Sequence, residues 1–481
     1  MLYTFFSIEV GLFPGILCWK TFTLQKRIYV RYNAYIITES FTVLRMLGRG
    51  ELIFMEPIIF HVDVNSAFLS WEAVHRMNYL GVQTDLREEL SAVGGDTAMR
   101  HGIILAKSIP AKKYGIQTGD SILKARQKCP GLLVVPPHYD LYERCSKALM
   151  QILKEYTPCV EQYSIDEAYM DMSGTKWLWG TPKEAAQQVR GKILKELGFT
   201  VNIGVSTNKV LAKMASDFKK PNRVHTLFPG EIENKMWSLP VGRLFFVGRA
   251  TEQKLHSFGI STIGQLARTD PAFLKKTLKK HGEIIWAFAN GRDADPVQAV
   301  PEPQKGYGSS TTIAFDVRDV PTAKLVLLAL AETVGMRLRQ AKVQAEVIAV
   351  GIKTYDFRYY GHQMTLSSAT DITEEIYKYA VEIFMQMWDG TPIRHLGVYT
   401  GKIREALDMR QIDMFDRTDY GKLKMWNLAV DSVRKRYGPD ALRRGVFVNH
   451  PLNIDHMSGG ISREKRTVDY EAEQKESERK W

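Results

Sequence analysis

The chain has 481 residues, of which 45% are hydrophobic and 25% charged, a makeup that excludes a low-complexity protein and leaves room for several cores. Its formal charge of +12 suits a polyanionic partner, because lysines and arginines laid along phosphates release counterions, although the balance permits nucleic acid without demanding it. No stretch is long and apolar enough to span a bilayer, and the cysteines at 18, 129, 145 and 159 form neither a Cys-x-x-Cys pair nor a metal-ligand spacing, so no membrane and no disulfide framework is expected and a cytoplasmic location is.

Residues 1–54 open with apolar text that carries Glu9 and lacks a basic start, unlike a secretory signal. The run Gly48-Arg49-Gly50-Glu51 can be encoded by a purine-rich, ribosome-binding sequence just ahead of Met55. Residues 1–54 therefore read as a non-native or disordered extension. An apolar strand follows at 58–64 with Asp63 inside it, and then a helix with a polar start over 65–74. From 92 to 137 the text is short, basic and punctuated by Gly and Pro, with a helix at Ile122–Lys128. Helices are predicted at Tyr139–Tyr156 and Pro182–Leu197, with a strand at 163–169 between them and another at 201–205 after them.

Val241 to Ala267 holds two short helical stretches joined by Phe258-Gly259-Ile260, and a helical run then reaches Asn290 and stops at Gly291. Asp295 to Gly308, rich in Pro and Gly, is the linker candidate. Beyond it, strands at 310–315, 344–354 and 393–402 interleave with helices at 322–341 and 373–388, and a charged tail closes the chain. Strands and helices alternate without a strict βαβ repeat, which points to α+β domains.

Carboxylates stand on two apolar strands: Asp63 in Ile58-Ile59-Phe60-His61-Val62-Asp63-Val64, and Asp166 with Glu167 in Tyr163-Ser164-Ile165-Asp166-Glu167-Ala168-Tyr169. A buried carboxylate needs a cation or a strong partner, and Mg²⁺ takes hard oxygen ligands, so a shared metal site is one reading; strand-end acids that cap turns or pair with lysine are the other.

These strands, with Asn208 to Asn222 (a helix ending in Lys220-Pro221-Asn222), resemble a Y-family translesion DNA polymerase of the DNA polymerase IV type over about Met55 to Phe447. The resemblance implies a multidomain right-hand architecture. Palm falls at 55–91 and 136–230, small fingers at 92–135, a helix-hairpin-helix thumb at 231–296, a linker at 297–308 and an α+β little finger at 309–405. A clamp-binding segment with a C-terminal helix would occupy 406–457, and a charged tail 458–481. It implies template-directed, low-fidelity DNA synthesis opposite damaged template, by a monomer acting on primer-template DNA and deoxynucleoside triphosphates.

It also implies two Mg²⁺ held by Asp63, the backbone carbonyl of Val64, Asp166 and Glu167, with Phe68 as the steric gate against a 2′-hydroxyl and Lys220 on the triphosphate. Asn65 is not counted as a ligand, and Lys213 and Asp217 support the palm. Lys112 is the second nucleotide contact, although Ile109 and Lys112 stand where relatives carry Tyr and Arg, and a lysine lacks the bidentate grip of an arginine. Gly248 fits the thumb turn that meets a DNA phosphate, whereas the usual earlier glycine is Phe246. Lys305 and Arg339 are candidate exposed basic contacts of the little finger, and Gln411, Met414 and Phe415 resemble the peptide that docks on the sliding clamp. Two rivals remain: a nucleotidyl cyclase with a related palm, suggested by Gly94-Gly95-Asp96, and a polymerase-like DNA-binding accessory protein without catalysis.

Overall fold

The computed structural model describes residues 52–95, 100, 102–406, 417–448 and 450–459, together with short strands at Val10–Phe13, Ile16–Trp19, Tyr35–Ile37 and Val43–Met46. The chain divides into two compact units, residues 1–88 with 138–301, and residues 89–137 with 302–481.

The first unit is built on a five-stranded sheet in the order Val160–Gln162, Glu167–Asp171, Ile59–Val64, Val201–Ser206, Val224–Thr226. Its central strand, Ile59–Val64, is buried along its whole length because both faces are covered. Phe60, Val62 and Val64 point with Ala168 and Met170 into a core shared with the helices Ala67–Tyr79, Tyr139–Tyr156 and Pro182–Leu197. His61 and Asp63 point the other way, toward the helix Lys209–Ser216.

Local chemistry sets the ends of these helices. Thr181 and Glu184 form a capping box ahead of Pro182–Leu197, and Gly198 closes it at φ 71°. Asn208 caps Lys209–Ser216 by accepting from the Leu211 N–H at 2.9 Å. That helix lies against the sheet because Gly204 has no side chain: a Cβ there would stand 1.9 Å from the Ala212 carbonyl oxygen. Its opposite side puts Leu211 and Met214 into the core of a helical segment formed by Arg249–Ser257, Ile263–Arg268, Pro271–Leu278 and Lys280–Ala289. One short helix thus ties the sheet to the helical segment.

In the second unit, Ser91–Gly94 lies between Ile104–Lys107 and Leu133–Val135, with the short helices Ile109–Lys113 and Ile122–Lys128 beside them. Gly94 is required there by packing, since a Cβ would meet Val134 at 2.8 Å and Ile122 at 2.9 Å. That accounts for the first glycine of the cyclase-like triplet without catalysis, and Asp96 lies outside the described residues. The larger part is an antiparallel sheet in the order Gly308–Val317, Ile393–Glu405, Val343–Thr354, Tyr359–Thr370, packed on the helices Val320–Gln340 and Thr373–Met387.

Two sequence expectations need correction here. The strand Tyr359–Thr370 was not anticipated, because its first seven residues are exposed or half-buried on a sheet edge and carry no apolar alternation. Arg339 is not an exposed basic residue: its side chain is only 4% exposed and is paired with Asp431 at 2.6 Å. It also donates to the Asp371 carbonyl and to Asn427, thereby fastening the helix Tyr420–Tyr437 to the domain. Lys305, in contrast, is exposed.

Candidate active site

Antiparallel register decides the centre of the site. Glu167 pairs directly with Asp63, so the two side chains rise from the same face of the sheet although 104 positions separate them in the sequence. Asp63 is buried, and the Lys213 ammonium bridges the pair, 2.5 Å from Glu167 Oε1 and 3.3 Å from Asp63 Oδ2. Lys220 reaches the other oxygen of Asp63 at 3.0 Å and Asp217 at 2.9 Å. Lys213 and Asp217, expected as supports, are both part of this cluster, with 3.7 Å between them.

Electrostatics separate the two acids. Burial pushes the Asp63 carboxyl up to about 6, against the pull of Lys220 and Lys213. Burial acts on Glu167 in the same sense, but the neighbouring His61 and Asp63 side chains and the Lys213 ammonium, which donates to it, outweigh burial and hold its carboxyl well below the usual range. His61, fully buried beneath them, has its imidazole lowered to about 4 by burial, so it is neutral at pH 7 and pairs through Nδ1 with the Ser216 hydroxyl at 2.9 Å. Sequence reading did not single out His61 or Ser216; the only signal was a polar residue two places before Asp63, on the same strand face.

Asp166 stands just ahead of the strand and is held differently. Its carboxylate accepts from the Ser164 hydroxyl at 2.7 Å, and its carbonyl accepts from the Val64 N–H at 3.1 Å. Among the described residues, no group of three or more His, Cys, Asp and Glu side chains is gathered as a metal site. The donor chemistry nevertheless fits a hard divalent cation: two carboxylates face each other and lie against two ammonium groups, so the spot already demands positive charge.

Phe68 is the second residue of the Ala67–Tyr79 helix, and its half-buried ring stacks on Tyr142 with centroids 4.6 Å apart and planes at 9°. Gly248 is the N-cap of the helix Arg249–Ser257. Lys112 is exposed on the helix Ile109–Lys113 of the second unit, whose start is capped by the Ser108 hydroxyl. Gln411, Met414 and Phe415 lie outside the described residues.

Comparisons with known proteins show the family. The impB/mucB/samB family matches residues 62–217, its C-terminal domain matches 304–414, and the IMS family HHH motif matches 229–260. A DNA polymerase IV of Clostridium acetobutylicum is 45% identical over 395 residues, which covers 82% of this chain and 99% of the relative. The chain belongs to the Y-family DNA polymerases, DNA polymerase IV type. A DNA polymerase IV of Acetivibrio thermocellus is 37% identical across 82% of this chain and 98% of its own length. Among solved structures, a Y-family DNA polymerase chimera superposes with a TM-score of 0.62 at 23% identity, covering 72% of this chain and 99% of the chimera, and so shares the fold. Among the described residues no helix is long and apolar enough to cross a membrane.

Proposed function

We propose that Asp63, Asp166 and Glu167 carry the nucleotidyl transfer of this Y-family polymerase, which extends a primer 3′ end with deoxynucleotides opposite damaged template. The observation that carries the assignment is the direct pairing of Asp63 with Glu167 in the central strands, with Lys213 across both carboxylates. These acids and the Val64 carbonyl would hold two Mg²⁺, which when bound lower the proton affinity of the primer hydroxyl and neutralise charge on the departing pyrophosphate.

The remaining steps belong to the chain itself. Lys213 keeps the two carboxylates side by side before substrate enters, and its own charge is favoured because Asp63, Asp217 and Glu167 overcome the cost of its burial. Lys220, more exposed than Lys213, exchanges its Asp63 contact for the triphosphate, with Lys112 as a second point charge. Phe68, fixed flat on Tyr142, presents a rigid ring that rejects a 2′-hydroxyl. At the thumb, Gly248 lets backbone N–H groups approach a DNA phosphate. Residues 411–415 dock the enzyme on the sliding clamp, and it works as a cytoplasmic monomer.

Primer extension with Mg²⁺ and dNTPs tests this assignment. Asp63→Ala, Asp166→Ala and Glu167→Ala should each slow extension by at least about a thousandfold while leaving the circular dichroism spectrum unchanged. A Glu167→Ala enzyme that extends at the wild-type rate would overturn the assignment.

A further inference from the structure

Two neighbouring positions in the thumb turn have residues opposite to those their backbones ask for. Gly248 sits at φ −85°, which any residue adopts, and a Cβ placed there would meet no atom of the folded chain within 4 Å. Phe246 sits at φ 73°, in the left-handed region that favours glycine, yet bears a large side chain. Packing inside the protein therefore does not explain the glycine, and the phenylalanine is kept against its own backbone preference. Burial does not compensate it either, since Phe246 is 52% exposed.

The ring is nevertheless held in place. It lies 4.9 Å from Phe245 and meets Phe288 edge-on at 5.7 Å. Phe245 continues to Tyr163 at 6.3 Å, and Tyr163 to Tyr169 at 5.6 Å, on the strand that carries Glu167. The Phe245 N–H is also directed at the Met214 sulfur, 3.4 Å away, one residue from Lys213. Tyr163 is itself 47% exposed, and the exposed Arg243 and Arg249 flank the turn.

We propose that Phe246 is a DNA contact: its exposed ring lies against the deoxyribose of the strand whose phosphate approaches Gly248, and the ring series through Phe245 to Tyr163 fixes that contact relative to the catalytic strand. Deoxyribose is the same at every position, so a ring packed on it carries no sequence preference, as a polymerase thumb requires. Strained residues persist where surrounding structure holds them for a use, and here the Phe245–Phe288 cradle holds a ring outward instead of inward. The role is a positioning one and rests on the polymerase reading above.

Equilibrium binding of a fluorescent primer-template to the full-length enzyme, read together with thermal melting and single-turnover extension, tests it. Phe246→Gly relieves the backbone, so its melting temperature should equal or exceed the wild type, while DNA affinity falls about tenfold. Phe246→Trp should keep wild-type affinity, and the dNTP concentration for half-maximal extension should be unchanged in both variants. If Phe246→Gly binds DNA as tightly as the wild type or more tightly, the proposal is overturned. Wild-type enzyme that neither binds nor extends the primer-template would instead sink the polymerase reading, a separate outcome.

Discussion

His61 shows what a single buried group does to this protein. Its imidazole titrates near 4 in the fold and near 6.5 in the unfolded chain, so between those values the unfolded state takes up a proton that the folded state refuses. Stability from this group is complete above pH 6.5 and is lost as pH falls toward 4, by roughly 3 kcal/mol in all. Denaturant melts of wild type and His61→Gln at pH 7.5 and pH 5 should therefore converge at the lower pH; parallel curves would contradict it. Phe68 gives a second test at this scale. Phe68→Ala should raise ribonucleotide incorporation in a primer-extension assay and cost about 2 kcal/mol of stability, since the half-buried ring stacks on Tyr142 and touches Trp71. These roles differ in how legible they are. Asp63, Asp166, Glu167 and Lys220, the proposed site residues, stand in runs that sequence reading singles out, whereas His61 had no run to mark it and Arg339 was misjudged because charge alone suggested exposure.

Among the elements, the helix Lys209–Ser216 has the greatest consequences, because it carries Lys213 to the acids and its distance from the sheet is set by one missing side chain. Gly204→Ala would force a methyl group against the Ala212 carbonyl at 1.9 Å and the Ser216 nitrogen at 2.5 Å, and backbone cannot yield as a flexible side chain does. The expected cost is about 3 kcal/mol or more, with extension lost in parallel as Lys213 is lifted from Glu167; chemical denaturation and primer extension on the same preparation measure both. Helix limits were readable in advance for Pro182–Leu197 and Ile122–Lys128, which Thr181 and Ser121 cap, and also for Tyr139–Tyr156, which has no side-chain cap but a long apolar period; all three begin and end at the expected residues. The edge strand Tyr359–Thr370 was not, because an exposed strand needs no apolar period to be stable in a sheet whose partner supplies its hydrogen bonds.

Across the whole molecule, 65 Lys and Arg exceed 53 Asp and Glu, a surplus suited to a phosphate-bearing partner such as DNA. Primer-template affinity should fall about a hundredfold or more between about 50 and 200 mM salt, linearly on a double-logarithmic plot, as counterions released by phosphate contacts become costlier to displace. Titration by fluorescence anisotropy at several salt concentrations measures the slope, and a flat plot would rule out a phosphate-dominated interface. The basic surplus is not all available for this purpose. Arg339, Arg434 and Arg444 are committed to Asp431, Glu332 and Glu374 within the second unit, where they hold the C-terminal helix.

The amino-acid order alone determined the α+β class, the main helices and the acids on apolar strands, because period, capping and hydrophobic run are local properties that a few neighbouring residues express. Only the tertiary structure decided that Asp63 stands opposite Glu167, that Lys213 bridges them, that Arg339 is internal and that Phe246 faces outward from a left-handed turn. Strand register and burial are properties of distant segments brought together, and a pairing shifted by one residue would have turned the same acids to opposite faces of the sheet.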